Sequence, residues 1–426
     1  MRTGAWYDET LWDLALPVEW RVTVHWPQTP APLGDEQIRD TIAAPIGASS
    51  LAETARGARR PLVLVDDLTR PTPAHRLLPF LLDEFRTAGI RASDVTILMG
   101  TGTHASRGMD AIRRKIGAEA AQACRLAVHN DLGKLTRVGK TSFGTAIQVN
   151  PLVAESDFVC GIGGVYPQHA VGFGGGSKLI LGALGRRTIA ALHYRHQSME
   201  GRYDVENDFR RELDEMASAA GLNYLFTTHV DARRNLVRLV CGDWRAFYPG
   251  EVAFAREAYA APPPGDADVV ISNSYPVDVS LTFMRSKGIV PLLHAAPGAS
   301  RILLSACREG TGHHGLFPLE QTRSERAHHF ARTVWFKRRH VPAKVARRLR
   351  ARTRPQREDA AGRQPAMPIR LVLSVQQNFP ASTNGFVVSR SWGEAVDEVR
   401  AEQEGGSLDV VVYPCAPLQV IGDGGT

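Results

Sequence analysis

Residues 60–67 read RPLVLVDD, an unbroken apolar run closed by two acids. A strand with one wet face alternates apolar and polar residues. A strand covered on both faces does not, so this run predicts a central parallel strand with helices above and below it. The neighbouring sequence continues the pattern. AHRLLPFLLDEFRTAGI (74–90) has helical spacing, DVTILMG (94–100) reads as a strand, GMDAIRRKIG (108–117) as a short helix, and RLAVHND (125–131) and DFVCGIGG (157–164) as further strands. KLTRVGKTSFGTAIQVN (134–150) and NYLFTTHVDARRNLVRLVCGDW (223–244) read as hairpins, with FRRELDEMASAAG (209–221) helical between them. The alternation predicts an α/β fold with mostly parallel sheets. Ligands of such sheets sit beyond the carboxyl ends of the strands.

A chain of 426 residues exceeds what one core usually serves, so two α/β domains are expected, with the active site in the cleft between them. APPPGDADVV (261–270) supplies a proline-rich joint, which sets the expected domains at 1–262 and 266–426. Before the first apolar run, WRVTVHW (20–26) alternates as a strand and DEQIRDTIAAPI (35–46) as a helix, forming an entry segment. The second domain repeats the rhythm with a strand in ADVVISNSYP, a helix around Lys287, and strands in ASRILLSA, IRLVLSVQ and LDVVVYP.

No apolar run approaches the roughly 20 residues of a membrane span, and the N-terminus lacks a secretory pattern. The five cysteines form no CxxC pair, so a reducing cytoplasm is the expected compartment. The net charge of +7 is not spread over the chain: residues 323–357 hold thirteen Lys and Arg against the single acid Glu325. This segment is read as part of an insertion at about 323–365, a solvated one. No aromatic interleaving or nucleic-acid motif accompanies it.

Four clusters follow strand ends in the first half. DDLTRPTP (66–73) offers two carboxylates, the Thr69 hydroxyl and Arg70, whose fork suits a carboxylate or phosphate. Asp67 is placed to hold a ribose hydroxyl or a catalytic histidine. MGTGTHASR (99–107) brings His104 just past a turn where glycines allow close backbone approach. GGVYPQHAVGFGGGSK (163–178) has His169 and ends in Lys178 after three glycines. It is a weak phosphate-cradle signal without P-loop order, and its lysine could be a phosphate ligand or a nucleophile. TIAALHYRH (188–196) sets His193 and His196 three apart, on one helix face, a spacing that suits a metal or simply a polar surface. In the second half, SYPVDVSLTFMRSKG (274–288) and ACREGTGHHGLF (306–317) could face the first domain.

Taken in order, DDLTRPTP, GTGTH, HND, GFGGGSK, TI…LH, YPVD…K and CREGTG resemble the nickel-dependent lactate racemase (LarA-like) family. The resemblance implies two α/β domains and a nickel-pincer nucleotide, that is, nickel on a pyridinium-3,5-dithiocarboxylic acid mononucleotide. It implies attachment of that group to Lys178 and nickel ligation by His193, with Asp67 and Thr69 also at the cofactor. It implies His104 as a catalytic base, and Arg70 and Lys287 as ligands of the substrate carboxylate. Aligned back from Lys178, the family's second catalytic histidine falls on Gln168, with His169 one residue later. The activity implied is racemisation or epimerisation of a small 2-hydroxy acid by hydride removal and return. The alternative is a chain that keeps the fold and binds a nucleotide or hydroxy acid without turnover.

Overall fold

The computed structural model describes residues 1–104, 108–168, 170–196, 203–284, 287–317, 368–375, 378–380, 382–383 and 385–422. The basic stretch 323–357 and His169 lie outside them.

Thirteen strands in two sheets carry the argument. They are β1 (Arg21–Val24), β2 (Pro61–Asp66), β3 (Thr96–Gly100), β4 (Arg125–Val128), β5 (Phe158–Gly164), β6 (Leu222–Val230), β7 (Leu236–Asp243), β8 (Val269–Asn273), β9 (Ser300–Ser305), β10 (Ile369–Leu373), β11 (Ser382–Thr383), β12 (Phe386–Ser389) and β13 (Asp409–Tyr413). The first sheet has the order β7-β6-β5-β2-β3-β4 and the second β11-β12-β10-β9-β8-β13-β1. Each sheet is parallel except for one edge pair, β6–β7 and β11–β12 respectively. The α/β class and the parallel sheets are as the sequence predicts.

The expected central strand is β2, with Leu62, Val63, Leu64 and Val65 fully buried. Each such side chain contributes about 1.5–3 kcal/mol by leaving water. Val63 and Val65 pack in one core with α2 (Ala74–Thr87) and α3 (Met109–Ile116), whereas Leu62 and Leu64 face the other, with α4 (Arg186–Arg195) and α5 (Asp208–Ala219). Both faces being covered is why β2 can be apolar at every position. The two predicted hairpins form, at Thr136–Lys140 with Ala146–Val149 and at β6 with β7.

The entry segment behaves differently from its neighbours. Asp35–Ala43 is the helix α1, but β1 pairs in parallel with β13 and so forms the edge of the second sheet. Lys287 also departs from expectation, since it does not lie in a helix. It stands in a turn ahead of the short helix Val290–Leu293. Gly288 N closes that turn on Met284 O at 2.7 Å, and Pro291, which has no N–H to give, fits only in the first turn of the next helix.

The first sheet reverses direction at β2. From β2 the chain moves outward to β3 and β4, then returns to place β5 on the other side. Strand order therefore switches between β2 and β5, and a crevice opens beyond their carboxyl ends. The DDLTRPTP turn leaves β2 there, and the Tyr166–Lys178 loop leaves β5.

Candidate active site

A pocket at this switch point is lined by Asp67, Arg70, His104, Tyr166, Lys178 and the glycines of β3 and β5. The turn after β2 is built on its two acids. Lys115, fully buried on α3, pairs with Asp66 at 2.5 Å and donates to the carbonyls of Asp67 (3.3 Å) and Arg70 (3.0 Å). Thr72 donates its hydroxyl to the other oxygen of Asp66 at 2.5 Å. Asp66 thus serves as the anchor of the turn. Asp67 is turned toward the pocket: Oδ1 accepts from the amide (3.0 Å) and hydroxyl (2.5 Å) of Thr69, and Oδ2 meets His104 Nδ1 at 2.7 Å. The carboxylate holds the proton on Nδ1, which leaves Nε2 as the basic nitrogen of His104.

Arg70 donates to Thr69 and lies over the ring of Tyr166, 5.7 Å from its centre. The ammonium of Lys287 sits 4.8 Å from the same ring and has no hydrogen-bond partner among the described residues. Burial, with Arg70 and Lys178 nearby, holds Lys287 well below the usual lysine range. The same causes, burial first and then Arg70 and Arg210, bring Lys178 down to about 7. Three basic side chains therefore converge where anions are few. Charging an unpartnered buried amine is costly, and a bound anionic group offsets that cost.

The glycine-rich loop is fixed from beneath by Arg210 of α5, which is buried and donates to the carbonyls of Phe173 (2.5 Å) and Gly175 (2.9 Å) and to the hydroxyl of Tyr248 (2.6 Å). Gly175 and Gly176 have φ of +75° and +57°, and a Cβ on Gly175 would fall 2.6 Å from Val165. Only glycine permits that path. Next to it, Gly182 is stacked on β3 so closely that a Cβ there would lie 2.8 Å from Gly100 O.

His193 lies on α4. The HND motif positions that helix: Asp131 takes Arg186 at its first turn (2.6 and 3.2 Å), and buried His129 joins Leu184 O to Asn150. The His193 ring stands edge-on to Phe209 (5.0 Å) and Phe317 (5.3 Å). Burial, then Lys178 and His104, pushes it down to about 3, so it stays a neutral imidazole. The helix ends at Arg195, and its cap residue His196 meets Glu212 Oε2 at 2.5 Å, with its ring 5.9 Å from that of Phe209, which His193 also faces. Among the described residues no group of three His, Cys, Asp or Glu could hold a metal ion.

The structure thus gathers Asp67, Thr69, Arg70, His104 and Lys178 around one crevice, brings Lys287 to it through Tyr166, and sets His193 on the helix beside it. Sequence reading missed Lys115, Tyr166 and His314. Lys115 had a signal, because it falls on the apolar stripe of α3 with Ala111, Ile112 and Ile116. Tyr166 had none, as an aromatic before a proline carries no chemistry by itself.

Among the described residues no helix is long and apolar enough to cross a membrane. Residues 7–203 match the family model of the lactate racemase N-terminal domain. Two similar proteins are the lactate racemases of Thermoanaerobacterium thermosaccharolyticum, 24% identical over 292 residues, and of Lactiplantibacillus plantarum, 26% identical over 292 residues. Each alignment covers 66% of this chain and 68% of the relative. The lactate racemase apoprotein from Thermoanaerobacterium thermosaccharolyticum has a similar fold, with a TM-score of 0.69, 18% identity and 99% of both chains covered. A protein from Thermotoga maritima aligns with a TM-score of 0.58 at 14% identity, over 91% of this chain and 98% of that one. The N-terminal part of this chain thus resembles the lactate racemase N-terminal domain, and the whole chain has the fold of a lactate racemase apoprotein.

Proposed function

We propose that the chain is an isomerase, a racemase or epimerase of a small 2-hydroxy acid, that works with a nickel-pincer nucleotide. The observation that carries this reading is the convergence of Arg70, Lys178 and Lys287 on the pocket where Asp67 holds His104.

The residues present suit the cofactor. Lys178, near 7, has a substantial neutral fraction at cytoplasmic pH and can form a covalent bond through nitrogen. His193, neutral down to about 3, offers the imidazole lone pair that nickel prefers. Gly175 lines the same pocket and has no side chain to extend into it. Asp67 and Thr69 border the same space. When bound, the group supplies a reversible hydride acceptor.

The chain's own residues do the rest. Arg70 forks onto the substrate carboxylate, and Lys287 adds a second positive charge from the other sheet. His104 takes the hydroxyl proton on Nε2, and Asp67 stabilises the imidazolium that results. Inversion needs a proton carrier on the opposite face of the planar keto acid, and His169 is assigned that part.

The test is intact-protein mass spectrometry with nickel analysis on protein co-produced with cofactor-synthesis enzymes. The wild type is expected to carry a mass increment and one nickel per chain, both lost in Lys178→Ala. Folded wild type with neither sinks the proposal and leaves a binding protein.

A further inference from the structure

The loop after β9 carries a second histidine into the site. Gly315 N donates to Thr103 O at 2.7 Å, and His314 forms an antiparallel bridge with His104. A Cβ on Gly315 would fall 2.6 Å from Arg186 Nη2 and 3.1 Å from Thr103 O, so the backbone passes as close as glycine allows. The His314 ring lies 5.3 Å from that of His104 and is flanked by Phe283 (6.0 Å) and Phe317 (5.2 Å).

The two rings are wired in opposite senses. His104 Nδ1 donates to Asp67. His314 Nδ1 instead accepts from two amides, Leu316 N at 3.2 Å and Phe317 N at 3.3 Å. Two N–H donors on Nδ1 require its lone pair, so the proton of the neutral ring is on Nε2. Among the described residues that Nε2–H has no hydrogen-bond acceptor. Burial and the neighbouring His104 and His193 hold His314 down to about 2, which keeps the ring neutral. It can give a hydrogen bond but cannot serve as a base without stranding both amides.

We propose that His314 is a substrate-binding residue whose Nε2–H donates to the oxygen that His104 deprotonates. The inference rests on the hydroxy-acid reading above and deepens it. As the hydroxyl becomes a carbonyl, a neutral donor fixed by backbone bonds keeps hold of that oxygen throughout.

The test uses the full chain and oxalate, a planar dicarboxylate whose second carboxylate stands in for the keto oxygen. By calorimetry, His314→Leu is expected to weaken oxalate binding about 10- to 100-fold. His314→Gln, whose amide N–H reaches close to the Nε2 position, is expected to bind nearly as the wild type. Nitrogen NMR of labelled histidine is expected to show Nε2 protonated. Unchanged affinity in His314→Leu, equal loss in His314→Gln, a proton on Nδ1, or no oxalate binding by the wild type each overturns the proposal. The Lys178 mass increment, measured on the same preparations, separates this outcome from failure of the cofactor reading.

Discussion

The two sheets share a topology and use it oppositely. The second also reverses its strand order, between β8 and β13, and so has its own crevice at the carboxyl ends. There the N-terminal residues fill the space. Asn273 donates to Arg2 O (2.8 Å), the Asp278 carboxylate accepts from Gly4 N (2.7 Å) and Ala5 N (3.0 Å), and Tyr275 donates to Glu9 (2.9 Å). Every polar group named at that end has a partner in the chain. At the first crevice Lys287 lacks one among the described residues, and basic groups outnumber the acids that face them. Topology supplies two candidate sites, and the balance of unsatisfied polar groups selects one of them.

Breaking the first crevice should cost chemistry, and breaking the second should cost stability alone. The largest expected effect is Asp67→Asn, which removes the charge that fixes the His104 tautomer. Turnover should fall on the order of 1,000-fold, measured as racemisation rate, with little change in melting temperature. Lys115→Met comes next, because it leaves Asp66 buried without its counter-charge. Denaturant titration should show a loss of about 3–5 kcal/mol, and oxalate affinity should drop too, since Lys115 also braces the Asp67 and Arg70 carbonyls. The matched change in the second crevice, Asp278→Ala, should cost about 2–3 kcal/mol and leave oxalate affinity intact. If it weakens oxalate as much as Lys115→Met does, the contrast between the crevices is wrong.

The smallest effect is a slope with pH. In the fold His75 is lowered to about 4 and His314 to about 2, both from 6.5, chiefly by burial. Below 6.5 the unfolded chain therefore binds more protons than the folded one, and stability falls as pH drops. Lys178 acts in another window: between about 7 and 10.5 the unfolded chain again binds more protons, so stability rises with pH there. Chemical unfolding of the protein without cofactor should show both slopes. Lys178→Met should lessen the alkaline slope, of which Lys287, lowered chiefly by burial too, keeps its share.

Most of this architecture was legible in the sequence because its signals are local. An apolar run such as 61–65 cannot be satisfied except between two helical layers, and DDLTRPTP or GGGSK sit at strand ends whatever the sheet order. The failures share a different cause. His196 has helical spacing from His193, but its ring is paired with Glu212 of another helix. Lys287 lies in a helical-looking stretch, yet Pro291 starts a new turn four residues on. His314 was hidden by distance, because its meaning depends on a bridge to His104 that no periodicity encodes. Long-range partners decide these positions, and single-sequence patterns do not contain them.

One pairing described for the fold bears on how the molecule is made. Arg21 meets Asp409, 388 positions later, through paired bonds of 2.7 Å, and β1 lies beside β13 along its whole length. During synthesis β1 emerges 388 positions ahead of β13 and must wait, its edge unclaimed, until that strand has left the ribosome. Val22 and Val24 remain partly exposed even in the finished fold. A strand made much later therefore shelters one made much earlier, and a chain cut short of β13 leaves both an idle strand and an open sheet for chaperones to guard.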